Sequence, residues 1–236
     1  MKKFSLLLAL CLSMMFTACG GSDAEANAND NINPGNISQG NAIQPNQIVR
    51  FGSYQQDSSQ KTPINWIALK VEGDRALLMS LNLLSSRSWD DTGKNLTWDD
   101  SSIRQWLNND FLNAAFSKEE INNIIPTELD NSDQHGYGTP AGKNTTDRVF
   151  LLSINEFESL VKNSRYATAA PTQTAKSEGA YANDQGNSAW WLRSPGMTND
   201  SPAYLSSAGE LGTRAHKATE KILGIRPAIW IKISKQ

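Results

Sequence analysis

The sequence contains few of the residues on which most metal-binding and catalytic chemistry depends. Its 236 residues include two cysteines, Cys11 and Cys19, and two histidines, His135 and His216. Two cysteines exclude a disulfide-rich scaffold and a cysteine-rich zinc site. Two histidines leave little for a histidine-based metal site or a catalytic base. We therefore predict no metal site and no cofactor.

A strong net charge is also missing. The 22 lysines and arginines and the 24 aspartates and glutamates leave a formal net charge of −2. Such a chain has no basic field that would attract nucleic acid, and no polybasic segment that would attract anionic lipid. We therefore expect no nucleic-acid partner.

The N-terminal segment has the pattern of a secretory signal. Two lysines precede an apolar run over residues 4–16, which is shorter than the ~20 apolar residues that a transmembrane helix needs. Small residues at positions 17 and 18 come next, directly before Cys19. The pattern predicts a signal peptide over residues 1–18.

The segment that ends at Cys19 resembles the lipobox of bacterial lipoproteins, although Phe16 stands where that motif usually has leucine. In such proteins the cysteine is lipidated and becomes the new N-terminus. The resemblance implies a chain anchored by lipid to a bacterial membrane, in the cell envelope, facing the periplasm or the cell exterior. Because each buried methylene contributes about 0.8 kcal/mol, several acyl chains form a stable anchor. The alternative is an ordinary signal peptide with an incidental cysteine.

The composition divides the remaining chain into two parts. Residues 19–46 are rich in asparagine and contain no aromatic residue, so they bury too little apolar surface to fold and are predicted to be a flexible tether. Residues 47–236 show neither an internal repeat nor a second linker. They are predicted to form one globular domain.

Short β-rich segments begin and end this domain, with helical patterns between them. Strands are predicted over residues 48–54, 64–71, 75–80, 148–152, 190–194, 203–206 and 225–231. Ser117 and Ser153 each open a capping box, and apolar residues at three-four spacing predict a further helix behind the cap candidates Asp99, Asp100 and Ser101. This order predicts an α+β fold with one mixed or antiparallel sheet in which the terminal strands meet.

Six segments, in order along the domain, resemble a family of bacterial exported proteins and lipoproteins that is catalogued as a domain of unknown function. These segments are residues 51–55, 63–66, 97–108, 149–153, 190–196 and 224–230. The last two, WWLRSPG and GIRPAIW, are also similar to the closing strands of formylglycine-generating-enzyme and C-type-lectin-like folds. The resemblance implies a C-type-lectin-like sheet. It implies no activity, because the mature domain lacks the cysteines that formylglycine-generating enzymes need.

Catalysis requires a nucleophile, a base and a group that orients them, and we predict no catalytic residues in this chain. Neither histidine lies in a recognisable setting. The adjacent carboxylates Asp90-Asp91 and Asp99-Asp100 suit turns and helix caps better than the paired acids of glycoside hydrolysis.

Aromatic residues favour ligand binding instead, since the chain has seven tryptophans and five tyrosines. Trp191 and Arg193 fall on the same side of a predicted strand, where a ring and a guanidinium could hold a polar ligand. Trp89 and Tyr181 are predicted as further ligand-binding residues. The alternative is that Trp191 is buried under a loop and that Arg193 is paired with an internal acid.

These observations together predict a membrane-anchored lipoprotein with a non-catalytic domain that binds a carbohydrate, a peptide or another envelope component. The alternative is a structural or assembly lipoprotein that docks another envelope protein. An envelope hydrolase is the least expected of the three.

Overall fold

The computed structural model of the chain describes residues 43–57, 59–94 and 97–233. The predicted signal peptide, Cys19 and the predicted tether up to residue 42 lie outside the described residues. Within the described residues, Ile43 is buried and the backbone N–H of Asn46 donates to the carbonyl of Ala68 at 2.8 Å. The packed structure therefore includes residues that precede the predicted start of the domain at residue 47.

The first sheet contains the first and last strands of the described residues. Its strands are antiparallel and lie in the order β1 (Ile48–Gln55), β2 (Lys61–Glu72), β3 (Arg75–Ser80) and β11 (Ala228–Lys232). A tight turn at Gly73, whose φ is +59°, joins β2 to β3. The strands predicted over residues 64–71 and 75–80 are confirmed and pair as a hairpin, and the terminal strands share one sheet, although they lie at its opposite edges.

The second sheet lies in the C-terminal half of the chain, apart from one short strand. Its order is β4 (Ser85–Ser86), β10 (Gly224–Ile225), β7 (Trp190–Thr198), β8 (Ser201–Leu205) and β9 (Leu211–Gly212). The β10–β7 pair is parallel and the other pairs are antiparallel. A further pair consists of β5 (Thr127–Leu129) and β6 (Thr145–Asp147). The predicted α+β class and single domain are confirmed.

Short helices connect and cover the sheets. They are α1 (Ser102–Trp106), which continues through a π turn (Leu107–Phe111) into α2 (Leu112–Ala115), and then α3 (Lys118–Asn123), α4 (Ile154–Leu160) and α5 (Gln173–Glu178). The hydroxyls of Ser101, Ser117 and Ser153 each accept a hydrogen bond from the first turn of the helix that follows. The caps predicted at Ser117 and Ser153 are therefore confirmed, and Ser101 is the one of the three candidates before α1 that caps it.

The core holds α1 and α2 against the first sheet. The Phe116 ring lies 5.3 Å from the Phe51 ring and 6.2 Å from the Trp66 ring, centroid to centroid. Gly52 permits this approach, because a Cβ at that position would lie 2.5 Å from the Phe116 ring and the backbone φ is +66°. Phe116 also lies 6.1 Å from Phe111, which lies 5.4 Å from Trp106, so this packing extends to the end of α1.

Two predicted strands differ from the structure. Residues 148–152 pair with β11 only through an isolated bridge between Phe150 and Ala228, so the predicted strand there is wrong. The predicted strand over 225–231 is divided by Arg226 and Pro227 into β10 and β11. Proline has no N–H for a sheet hydrogen bond, and the backbone carbonyl of Pro227 accepts from Ser80 at 2.9 Å.

Candidate ligand-binding groove

A surface groove of about 240 Å³ opens where four separate parts of the chain meet. These parts are the segment that begins with β4, the helix α1, the C-terminal end of α5 and the loop before β10. Residues that line the groove include Arg87, Asp91, Ser102, Trp106, Glu178 and Lys221. The groove therefore combines one aromatic ring with charges of both signs and with hydroxyl groups.

Arg87 and Trp106 form a stacked pair in this groove. The guanidinium carbon of Arg87 lies 4.5 Å from the centroid of the Trp106 ring, which is within the range of a cation–π interaction. Trp106 is 9% exposed and packs on Phe111, with centroids 5.4 Å apart, whereas Arg87 is exposed. The ring is therefore fixed by the core, and the guanidinium above it faces solvent.

Glu178 and Lys221 lie at the end of the groove formed by α5. The carboxylate of Glu178 accepts from the Ser85 hydroxyl at 2.6 Å and from the backbone N–H of Ser86 at 2.9 Å. The Ser86 hydroxyl donates to the backbone carbonyl of Lys221 at 2.7 Å. Gly179 has a φ of +127°, and a Cβ there would lie 2.5 Å from that same carbonyl. Glycine is thus required where the two segments meet.

Asp91 lies among hydroxyl groups of the groove. Its carboxylate accepts from the Ser88 hydroxyl, and its backbone N–H donates to the Ser102 hydroxyl at 2.9 Å. The neighbouring Asp90 is buried and accepts from three groups of the following turn and from the backbone N–H of Ser102. Asp90 is therefore a turn residue, as the sequence predicted, and only Asp91 of this pair lines the groove.

The charged groups of the groove influence the pKa of Tyr54, which lies nearby. Burial raises the pKa of Tyr54, the carboxylate of Glu178 raises it further, and Arg87 lowers it. Among the described residues, neither the guanidinium of Arg87 nor the ammonium of Lys221 forms an ion pair with a protein carboxylate. Both cations therefore remain available to a ligand.

Trp191 and Arg193, the pair predicted to bind ligand, lie in the interior. Trp191 is 0% exposed and Arg193 is 4% exposed. Arg193 donates to the carboxylate of Glu156 and to the backbone carbonyl of Leu151 at 2.9 Å. Both residues belong to β7, a central strand of its sheet. This strand therefore presents no exposed stacking pair. The alternative, a buried ring and an arginine paired with an internal acid, is the arrangement observed.

Trp89 is also buried, but it and Trp191 support the groove from inside. The indole N–H of Trp191 donates to the backbone carbonyl of Arg87 at 3.0 Å, and that of Trp89 donates to the carbonyl of Leu192 at 2.9 Å. These two bonds attach the groove segment to β7. Tyr181, the fourth predicted residue, is 74% exposed and follows Glu178 by three residues.

Sequence reasoning missed the residues that line the groove. These residues come together only in the folded chain, because the hydrogen bonds of Ser86 to Glu178 and to Lys221 join residues that are 92 and 135 positions apart. A local sequence pattern does not contain such contacts. The one usable signal was Trp106, the ring at the end of a short amphipathic helix.

Neither histidine lines the groove. His135 is exposed, and Nδ1 of His216 lies 2.7 Å from a carboxylate oxygen of Glu220. Within residues 43–57, 59–94 and 97–233, no three His, Cys, Asp or Glu side chains are arranged to hold a metal ion. Over the same ranges, no helix combines the length and the apolar character needed to cross a bilayer.

The fold and the groove define an α+β domain with a small charged surface site. Residues 73–233 match the family described as Domain of unknown function (DUF6273), and the chain belongs to that family. All the groove residues named above fall within the matched range. The comparison with curated proteins finds no match, and the comparison with solved structures finds none either.

Proposed function

We propose that this chain is a non-catalytic ligand-binding module of the bacterial cell envelope, anchored to a membrane by lipid on Cys19. The observation that carries the binding function is the stacking of Arg87 on Trp106 inside the groove. A stacked guanidinium keeps its edge free for forked hydrogen bonds to a polar ligand. The proposed ligands are a carbohydrate, a peptide or another envelope component.

The dimensions and composition of the groove support binding of one small unit. Ligand pockets usually measure roughly 300–1,000 Å³, whereas this groove measures about 240 Å³. It suits a single ring or one to two amino-acid residues of a longer ligand. The Ser86, Ser88 and Ser102 hydroxyls around it are already held by protein hydrogen bonds, so the site is formed before ligand arrives.

The similarity to C-type-lectin-like and formylglycine-generating-enzyme folds is part of the same proposal. It is supported by the closing segments WWLRSPG and GIRPAIW, which contribute β7 and the β10–β11 region. In this proposal the fold serves as a binding scaffold only.

Substitution of Arg87 tests the binding function. The full chain is applied to arrays of peptidoglycan fragments, polysaccharides and short peptides, as wild type and as Arg87→Ala. We expect at least one retained ligand whose affinity falls roughly tenfold in the variant, as for loss of a charged hydrogen bond. Arg75→Ala is the matched control, because Arg75 stacks on Trp230 at the same 4.5 Å outside the groove. Equal losses in both variants, or no retained ligand, would contradict the proposal.

A further inference from the structure

We propose, on the basis of the proposed function, that the groove recognises the C-terminal end of a peptide that carries both a free carboxylate and an ammonium group. Arg87 and Lys221 supply the positive charges of the groove, and Asp91 and Glu178 supply the negative ones. A ligand of this class presents the opposite charge to each pair.

The cations are positioned for a carboxylate. The guanidinium of Arg87 lies over the Trp106 ring, which occupies its face and leaves its N–H groups directed along its plane. This is the geometry that binds a carboxylate through two parallel hydrogen bonds. Lys221 lines the same groove and adds a second cation, since among the described residues its ammonium pairs with no carboxylate.

The anions retain capacity for an ammonium group. One oxygen of Glu178 accepts from Ser85 and Ser86, and one oxygen of Asp91 accepts from Ser88. The second oxygen of each carboxylate accepts no hydrogen bond from the described residues. An ionised carboxylate has about four acceptor sites, so both groups can accept an ammonium from a ligand.

The balance of charge separates this ligand from the alternatives. A neutral sugar would displace water from four charged groups without supplying a countercharge, which is unfavourable. A polyanion would be attracted to Arg87 but repelled by Asp91 and Glu178. A ligand that carries a carboxylate and an ammonium compensates both kinds of charge.

Exposed apolar side chains beside one end of the groove could contact a peptide ligand that is longer than the groove. Tyr181 is 74% exposed and Ile222 is 48% exposed. They follow the lining residues Glu178 and Lys221 by three positions and by one, on two segments that touch where Gly179 meets the carbonyl of Lys221. A groove of about 240 Å³ holds only the end of a peptide, so the preceding residues would lie outside it, near this apolar rim.

The test uses calorimetric titration of the full chain with three synthetic tripeptides. The first is N-acetyl-Ala-Lys-Ala with a free carboxylate, the second is its C-terminal amide, and the third carries acetyl-lysine in place of lysine. We expect each modification to weaken binding roughly tenfold or more, because each removes one charge-assisted contact.

Variants of the protein test which residue is responsible for the preference for the free carboxylate and which for the preference for the unmodified lysine. Arg87→Ala should abolish the preference for the free carboxylate. Glu178→Gln should reduce the preference for the unmodified lysine, while its side-chain oxygen still accepts from Ser85 and Ser86. Arg75→Ala should retain both preferences.

Equal binding of the three peptides, or tighter binding of neutral chitotriose than of any peptide, would overturn the peptide assignment. If chitotriose binds and Arg87→Ala weakens it, the proposed binding function stands without this ligand class. If neither these peptides nor any array ligand binds, the proposed function itself fails.

Discussion

At the scale of single residues, Arg226 is a charged side chain with no exposure to solvent. It donates to the backbone carbonyls of Ser80, Tyr166 and Leu81, and its guanidinium carbon lies 5.0 Å from the centroid of the Trp190 ring. Burial lowers its pKa to about 9, which still leaves the group charged at neutral pH. The arginine thus joins the connection between β10 and β11 to the end of β3 and to the segment at Tyr166.

We predict that Arg226→Lys destabilises the fold by about 3 kcal/mol, because a single ammonium cannot reach all three carbonyls and the charge stays buried. Urea unfolding followed by circular dichroism measures the change. The control is Arg165→Lys, because Arg165 is exposed and stacks on Tyr166 at a similar 5.0 Å. It should change stability by less than about 0.5 kcal/mol. Similar effects of the two changes would contradict this role of Arg226.

Glu156 has two partners, one that the predicted capping box implies and one that no local pattern connects to it. It closes the capping box of α4 by accepting from the backbone N–H of Ser153 at 2.7 Å, and it pairs with the buried Arg193. We predict that Glu156→Gln costs about 2 kcal/mol, since it leaves the guanidinium without its counter-charge. Glu120→Gln is the matched change, because Glu120 closes the capping box of α3 in the same way and its second carboxylate oxygen accepts from a backbone N–H, that of Gly52 at 3.1 Å. Its cost should be about 0.5 kcal/mol, and equal costs in urea unfolding would argue against the pairing.

The sequence predicted which residues carry helix caps but not which rings and cations reach the surface. A capping box is a local pattern, so Ser117 and Ser153 were identified correctly. The exposure of Trp191 depends on what covers both faces of β7, and no local pattern contains that information. The arginine–tryptophan pair that the sequence suggested on β7 is found instead at Arg87 and Trp106.

At the scale of elements, the groove depends on contact between the end of α5 and the loop that precedes β10. We predict that Gly179→Ala costs at least about 2 kcal/mol and weakens ligand binding, because both its positive φ and the carbonyl of Lys221 oppose a Cβ. Gly186→Ala is the control. It shares the positive φ, at +79°, but a Cβ there meets nothing within 4 Å. Thermal unfolding and the array assay should separate the two variants, and identical behaviour would show that the contact does not matter.

Elements formed by neighbouring residues were predictable, and elements formed by distant ones were not. The strands β1, β2 and β3 follow one another along the chain and pair in sequence order. By contrast, β4 has only two residues, and it is a strand only because it pairs with the distant β10. Such a strand has too little pattern of its own to be recognised. The helix α5 was missed within a segment that reads as turn-rich, although Thr172 caps it.

At the scale of the whole molecule, a proposed lipid anchor precedes a folded domain. We predict that Cys19→Ala abolishes labelling by a palmitate analogue and releases the chain from membranes in fractionation. In the proposed function, the acyl chains on Cys19 supply the affinity for the bilayer. Cys11→Ala is the control and should leave both labelling and membrane association unchanged. Membrane association that persists without Cys19 would contradict lipid anchoring.

The central claim is that ligand binds on the Arg87–Trp106 stack, and the indole N–H resonance of Trp106 tests it most directly. A nitrogen-15 labelled chain is titrated with the tightest ligand from the arrays. The account predicts that the Trp106 resonance shifts in proportion to occupancy, while the resonance of Trp230, which is stacked with Arg75 outside the groove, stays in place. Saturation of the ligand with an unmoved Trp106 resonance would contradict it.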